Sequence, residues 1–157
     1  FMLSQSGIPV IYSGDEIGQV NDYTYKDDPE KANDSRYLHR GNFDWKLAEN
    51  RHDPATVQGK LFPALDKLEH IRTSHDVFNS NVPLHTIDTW DNSILAFVRE
   101  NDEEKFIGIY NFSENDKVAW IDEEDGMYTD LISGCELEAK GVQIPAFGCY
   151  WLCRSKK

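Results

Sequence analysis

The stretch Gly7-Ile8-Pro9-Val10-Ile11-Tyr12-Ser13-Gly14-Asp15-Glu16 governs how the rest of the chain is read. Ile8 to Tyr12 is a short, nearly unbroken apolar run between a glycine and a polar turn. Such a run suits a strand buried on both faces, as in a parallel sheet covered by helices. Pro9 brings no N–H to a ladder and is tolerated only near the start of a strand. Gly14 lets the backbone turn, and Asp15 and Glu16 follow at the strand's C-terminal end. In barrels and open α/β sheets, ligand-binding loops sit at that end. The expectation is a buried strand over 8–12.

The next stretch, 18–52, is polar and charged, without regular periodicity. Loops of this length inside a domain are usually functional. Tyr23, Tyr25, Arg36, Tyr37, His39, Phe43 and Trp45 are interleaved with Asp and Asn. Aromatic rings beside hydrogen-bonding groups suit sugars, which have apolar C–H faces and hydroxyl edges. Phe43 and Trp45 are read as anchors of the loop. For Tyr23 and Tyr25, anchoring and sugar contact remain equally open. Arg36 stands out because a guanidinium holds a carboxylate through two parallel hydrogen bonds. His39 and Arg40 are read as supporting residues.

Asp53-Pro54 reads as a helix start, with Asp as N-cap and Pro at the first helical position. Val57, Leu61, Leu65, Leu68 and Ile71 then recur at helical spacing. The expected helix covers about 54–74, with Gly59 and Pro63 predicting a kink or break near Phe62. After Val82 the pattern becomes strand-like. Eight candidate strands follow: Leu84–Thr89, Ser93–Arg99, Lys105–Phe112, Lys117–Asp122, Met127–Leu131, Cys135–Ala139, Val142–Ile144 and Cys149–Cys153. Turn signals such as Asp91-Asn92, Asn101-Asp102 and Ser133-Gly134 separate them. Short strands at this spacing predict an antiparallel sandwich of Greek-key type. Trp90, Trp120, Tyr128 and Trp151 serve packing before any sugar platform.

The motif Gly-x-Pro-x-x-x-x-Gly-Asp-Glu of residues 7–16 resembles the last barrel strand of the α-amylase superfamily, the glycoside hydrolases and transglycosidases of family 13. Asn21-Asp22-Tyr23-x-Tyr25, Asp28-Pro29-x-Lys31 and Asp34-Ser35-Arg36-x-x-His39-Arg40 resemble the amylosucrase and sucrose-hydrolase branch. The resemblance runs through the following helix and the β-rich tail. It implies a mixed α and β chain: the last βα unit of a (β/α)8 barrel with its long loop in residues 1–80, then an antiparallel β-sandwich in 81–157. A full barrel needs about 250 residues, and the chain has 157.

The resemblance also implies chemistry. Two aspartates and a glutamate from earlier barrel strands act on an α-glucoside such as sucrose, so no catalytic residue is expected in this chain. Retaining enzymes need two carboxyl groups about 5–5.5 Å apart across the scissile bond. Asp15 and Glu16 are adjacent, and on an extended backbone they would point to opposite sides. Their expected role is to order the loops at the barrel mouth. Arg36 is implied to pair with an aspartate from an early barrel loop, closing the floor of the glucosyl pocket, with Tyr23 and Tyr25 beside it. The alternatives are an α-amylase or oligo-α-glucosidase of the same superfamily, and a standalone sugar-binding or interaction β-domain.

The formal net charge of −12 argues against nucleic acid, whose binding needs clustered Lys and Arg. No apolar stretch approaches the roughly 20 residues of a membrane span. Cys135, Cys149 and Cys153 are odd in number, which excludes a simple disulfide framework. A spacing of four without nearby histidines is a poor zinc pattern. Buried free thiols in a reducing, cytoplasmic compartment are expected, with no metal or other cofactor. The run Asp122-Glu123-Glu124-Asp125 lacks the ligand pattern of a calcium loop and reads as a solvated turn. The expected partners are an α-glucoside or α-glucan substrate and the upstream barrel of the same polypeptide. An exposed barrel remnant would favour a homo-oligomer.

Overall fold

The computed structural model describes residues 1–121 and 126–156. The chain forms two compact units. One comprises residues 10–66; the other comprises residues 1–9 and 67–157. The division differs from the expected boundary at residue 80. Its physical basis lies in two arginines. Arg72 donates to the carbonyls of Leu3, Gln5 and Gly7. Arg99 donates to those of Ser4 and Gln5 and to those of Asn79 and Val82. These bonds tie the first residues to the β-rich tail.

The larger unit is built on β1 (Leu84–Ile87), β2 (Ile94–Glu100), β3 (Glu104–Asn111), β4 (Lys117–Ala119), β5 (Met127–Asp130), β6 (Glu136–Glu138), β7 (Val142–Ile144) and β8 (Cys149–Ser155). Six strands form one sheet in the order β1-β2-β3-β8-β5-β6, and β4 pairs with β7 in a second. Each of these pairings is antiparallel. All eight expected strands are present, and their ends differ from expectation by a few residues. Asp122 of the fourth candidate strand, and the acidic run 122–125, lie outside the described residues.

Alternation sets the two faces of the large sheet. Ile94, Ala96, Val98, Ile107, Ile109 and Leu152 share a core with Ala119, Val142 and Ile144 of the small sheet. The opposite face carries Phe97, Phe106 and Trp151, which pack with Phe78 from the turn after the helix. Both faces are therefore buried, which explains why β2 and β3 read as almost continuous apolar runs. Gly108 sits between two rings on this second face. A Cβ there would lie 2.9 Å from Phe97 and 3.0 Å from Tyr110.

Helix α2 spans Val57–Ser74 without interruption, so of the expected kink or break near Phe62 the break is absent. The helix also starts later than the Asp53-Pro54 signal implies. Asp53 and Pro54 form a preceding turn, in which Asp53 accepts from Ala55 N–H. Thr56 is the cap, its hydroxyl accepting from Gly59 N–H at 3.0 Å. Gly59 is required there, because a Cβ would fall 1.9 Å from the Asp53 carbonyl.

The expected strand over 8–12 is not formed. Ile8 and Val10 are 83% and 77% exposed, and Tyr12 is also exposed. A strand needs a ladder partner, and no described strand pairs with this run; Pro9 has no N–H to contribute.

Candidate functional site

The smaller unit, residues 10–66, holds the sequence-predicted site residues. Its long loop is a chain of short helical turns, three of them opened by an aspartate. Asp22 caps the 3₁₀ turn Tyr23–Asp27, Asp34 caps Ser35–His39, and Asp44 caps α1 (Trp45–Glu49). An aspartate side chain satisfies the N–H groups that a helix start leaves free. Much of the loop's acidity therefore serves its own backbone.

The loop closes on itself. Asp22 N–H donates to Leu38 O at 2.9 Å. Asn21 Oδ1 and His39 Nδ1 lie 3.0 Å apart. Gln19 spans both ends, donating to Asn42 O at 2.9 Å and accepting from Asp44 N–H at 3.0 Å. Gly14, at φ +104°, leaves the room that the Gln19 side chain occupies. The buried Gln58 of α2 donates to Ile17 O at 3.0 Å and holds the start of the loop. The sequence reading passed over Gln19 and Gln58, because a glutamine carries no motif by itself.

Asp15 and Glu16 lie in a 3₁₀ turn, Asp15–Ile17, rather than on an extended backbone. Glu16 Oε2 accepts from Gly14 N–H at 2.8 Å, which tightens that turn. Asp15 is exposed, and its backbone N–H donates to Tyr12 O. The pair does not form two carboxylates facing one another across a gap.

Arg36 is exposed and grips Asp34 through two parallel bonds, Nε to Oδ1 at 2.8 Å and Nη2 to Oδ2 at 2.6 Å. The Arg36 side chain and the Arg36 N–H together draw the Asp34 pKa down to about 2. The guanidinium thus already has a carboxylate within its own loop. Tyr23 is exposed and Tyr25 buried. That separates two residues the sequence left equivalent: Tyr25 anchors the loop, and Tyr23 offers its ring to solvent.

Phe43 is half-buried, as an anchor would be. Trp45 is 77% exposed, against the expectation that it anchors. Its ring meets Phe43 edge-on at 4.7 Å, and the two border an open cleft of about 390 Å³ with Ile17, Phe62, Glu16 and Arg51. Arg51 lies 5.8 Å over the Phe62 ring and donates to Ala48 O. An aromatic wall with one carboxylate and one guanidinium suits a polar ring compound with apolar faces.

Comparison with known proteins gives this geometry a setting. Glucosylglycerate phosphorylase from Escherichia coli (strain K12) is 28% identical over 153 residues, covering 96% of this chain and 26% of that protein. The chain thus spans about a quarter of the length of the curated relative it matches. The trehalulose synthase MutB from Pseudomonas mesoacidophila MX-45 shares its fold with a TM-score of 0.66 at 20% identity, over 96% of this chain and 36% of that one. Cyclic α-maltosyl-(1→6)-maltose hydrolase from Arthrobacter globiformis matches with a TM-score of 0.61 at 18% identity, over 98% and 28%. The chain shares the fold of part of each of these two structures and is similar in sequence to part of that phosphorylase. No protein-family model matches the chain.

An ordered polar loop, an exposed tyrosine and an aromatic cleft belong to one unit, and a two-faced antiparallel sheet belongs to the other. No helix among the described residues is long and apolar enough to cross a membrane.

Proposed function

We propose that the chain is the C-terminal portion of an enzyme that cleaves or transfers the glucosyl unit of an α-glucoside such as sucrose, with retention of configuration. The observation that carries this reading is the 28% identity over 153 residues with a protein named for a glucosyl substrate. Residues 1–80 supply the last βα unit of a (β/α)8 barrel, and the sheet in 81–157 forms the Greek-key domain that follows it. The bare run Ile8, Val10 and Tyr12 supports the barrel reading, since it has the composition of a buried strand and pairs with no described strand. Upstream strands of the same polypeptide then provide both the ladder and the catalytic carboxylates.

In this reading the nucleophile and the acid/base glutamate come from upstream, about 5–5.5 Å apart. Glu16 shapes the strand-to-loop turn through Gly14. Arg36 presents a positive charge at the glucosyl pocket, held in place by Asp34, and the exposed Tyr23 borders the acceptor side. Unpaired thiols at Cys135, Cys149 and Cys153 support a reducing, cytoplasmic setting. Two of the three, Cys135 and Cys149, are exposed rather than buried as the sequence suggested.

A second reading is favoured by the same relative, which is named a phosphorylase. There the glucosyl unit passes to inorganic phosphate instead of water or a sugar. The test uses the longer polypeptide with sucrose or glucosylglycerate, each with and without phosphate. Phosphate-dependent release of glucose 1-phosphate selects the second reading, and fructose release from sucrose without phosphate selects the first. In either case Arg36→Ala should lower kcat/KM by about 10–100-fold, the scale of a charged hydrogen-bonding contact. An unchanged value refutes the pocket role of Arg36.

A further inference from the structure

His75, Glu104 and Cys153 meet on the buried-aromatic face of the large sheet. Their ligand atoms all lie within 4.8 Å of one another. His75 precedes the 3₁₀ turn Asp76–Phe78, Glu104 opens β3, and Cys153 lies inside β8. The β3–β8 register pairs Phe106 with Cys153. Glu104, two residues before Phe106, therefore faces the same side as Cys153, and the turn after α2 brings His75 over both.

The three side chains present a nitrogen, an oxygen and a sulfur. His75 Nδ1 and Glu104 Oε1 are 2.6 Å apart. The other carboxylate oxygen of Glu104 accepts from Val77 N–H at 3.2 Å, which fixes the carboxylate plane. An ion pair between His75 and Glu104 accounts for two of the three residues. It does not account for a thiol 5% exposed set against a carboxylate. A divalent cation between them reverses that antagonism, because it draws the thiolate and the carboxylate to one centre.

We propose that His75, Glu104 and Cys153 form a binding site for a zinc-class divalent cation. Imidazole, thiolate and carboxylate are the donors such an ion prefers, at about 2.0–2.3 Å. Donors around a tetrahedral ion at those lengths stand about 3.3–3.8 Å apart, so each atom moves by roughly an ångström or less. On binding, the thiol proton of Cys153 leaves to solvent. His75 binds through Nδ1 as its Nε2–H tautomer, and a protonated His75 releases one further proton. The two anionic ligands balance the charge of the ion. His75 and Glu104 keep 28% and 21% of their side-chain surface exposed, which gives an entry path and room for water as a fourth ligand. The Val77 N–H bond to Glu104 is the supporting contact that such sites use to orient a ligand.

The site would act as a staple. It joins the turn after α2 to the adjacent strands β3 and β8. Sequence spacing conceals it, because the residues lie far apart, His75 and Glu104 being separated by 29 positions.

The test is titration of the 157-residue chain, stripped of metal by a chelator, with Co2+ as an optical probe and Zn2+ as competitor. One equivalent of Co2+ should produce a thiolate-to-cobalt band in the near ultraviolet, and Zn2+ should abolish it. Cys153→Ser should remove the band, whereas Cys135→Ser/Cys149→Ser should keep it. His75→Gln and Glu104→Gln should each weaken Co2+ binding at least tenfold, the loss that follows removal of one ligand. Zn2+ at about a hundred times its Kd should raise the Tm by roughly 5–10 °C in the parent chain and leave that of Cys153→Ser unchanged. Circular dichroism confirms that each variant is folded. A folded parent chain without a saturable band overturns the proposal. So does a band that survives Cys153→Ser, or affinity indifferent to His75→Gln and Glu104→Gln.

Discussion

Replacing Arg99 with Met should be the most damaging single change to the β-rich unit. Arg99 is fully buried. Its guanidinium donates to Ser4 O at 3.2 Å, Gln5 O at 2.9 Å, Asn79 O at 2.7 Å and Val82 O at 3.2 Å. It also lies 5.6 Å over the Phe78 ring. Hydrogen bonds from a charged donor contribute about 1.5–3 kcal/mol each, so four would sum to well over 6 kcal/mol if independent. They are not independent, and burying the cation is costly. Burial, reinforced by Arg72, pulls the Arg99 pKa down to about 10. Against that offset, removing the charge takes one donor from each of four carbonyls, of which Gln5 O keeps Arg72 and Asn79 O keeps the Val82 N–H. The net loss should be about 3–5 kcal/mol, the scale for breaking a buried charged network. Small domains are stable by about 5–15 kcal/mol, so roughly a fifth of the margin or more would go. Urea denaturation followed by tryptophan fluorescence measures it through the midpoint at constant m. Arg99→Lys separates charge from geometry, because an ammonium cannot fork across both carbonyl pairs. It should fall between the parent and Met. A loss under about 1 kcal/mol for Arg99→Met, with m unchanged, would refute the clamp.

Three further outcomes follow from local geometry. Gly108→Ala should destabilise by about 1–3 kcal/mol through overpacking, because the new methyl meets Phe97 at 2.9 Å and Tyr110 at 3.0 Å; a denaturation midpoint equal to the parent's would contradict this. Thr56→Ala should cost about 1 kcal/mol through loss of the α2 cap, and Thr56→Ser should recover most of it. Acid should destabilise the fold through Asp34 and Asp91, each drawn from 3.8 to about 2 by hydrogen bonds, chiefly to Arg36 and to Ser93. A depressed carboxylate pKa stabilises the fold above pH 3.8, and the contribution is lost as pH falls through 2. Tm measured across that window should fall less steeply in Asp34→Asn/Asp91→Asn than in the parent chain.

The β-rich tail was largely legible because turn chemistry and alternation speak locally. Asp91-Asn92 and Asn101-Asp102 bound strands whose apolar residues must face a core on one side or the other. The Ile8–Tyr12 run was misleading for the opposite reason. Its composition suits burial, but a strand is a property of a pair, and the partner is not written in the run. The helix start was misplaced because Asp53-Pro54 and Thr56 are both valid caps. The close approach of the Asp53 carbonyl to Gly59 decides between them, and that is a three-dimensional fact. In the candidate site, the sequence singled out Arg36 but not its grip on Asp34, two residues away. It grouped Tyr23 with Tyr25, whose difference is burial alone. Aromatics in loops usually pack, which makes Trp45 an expected anchor, whereas it stands open beside Phe43. The His75, Glu104 and Cys153 group was invisible because strand register, not spacing, assembles it.

The most direct test of the account is glucosyl turnover by this 157-residue chain beside the longer polypeptide that includes the upstream barrel. Sucrose and glucosylglycerate are the donors, with and without phosphate. The account predicts turnover by the longer polypeptide and none by the chain alone. Turnover by the 157 residues alone would contradict it, and Asp15, Glu16 and Asp34 would then have to supply the chemistry.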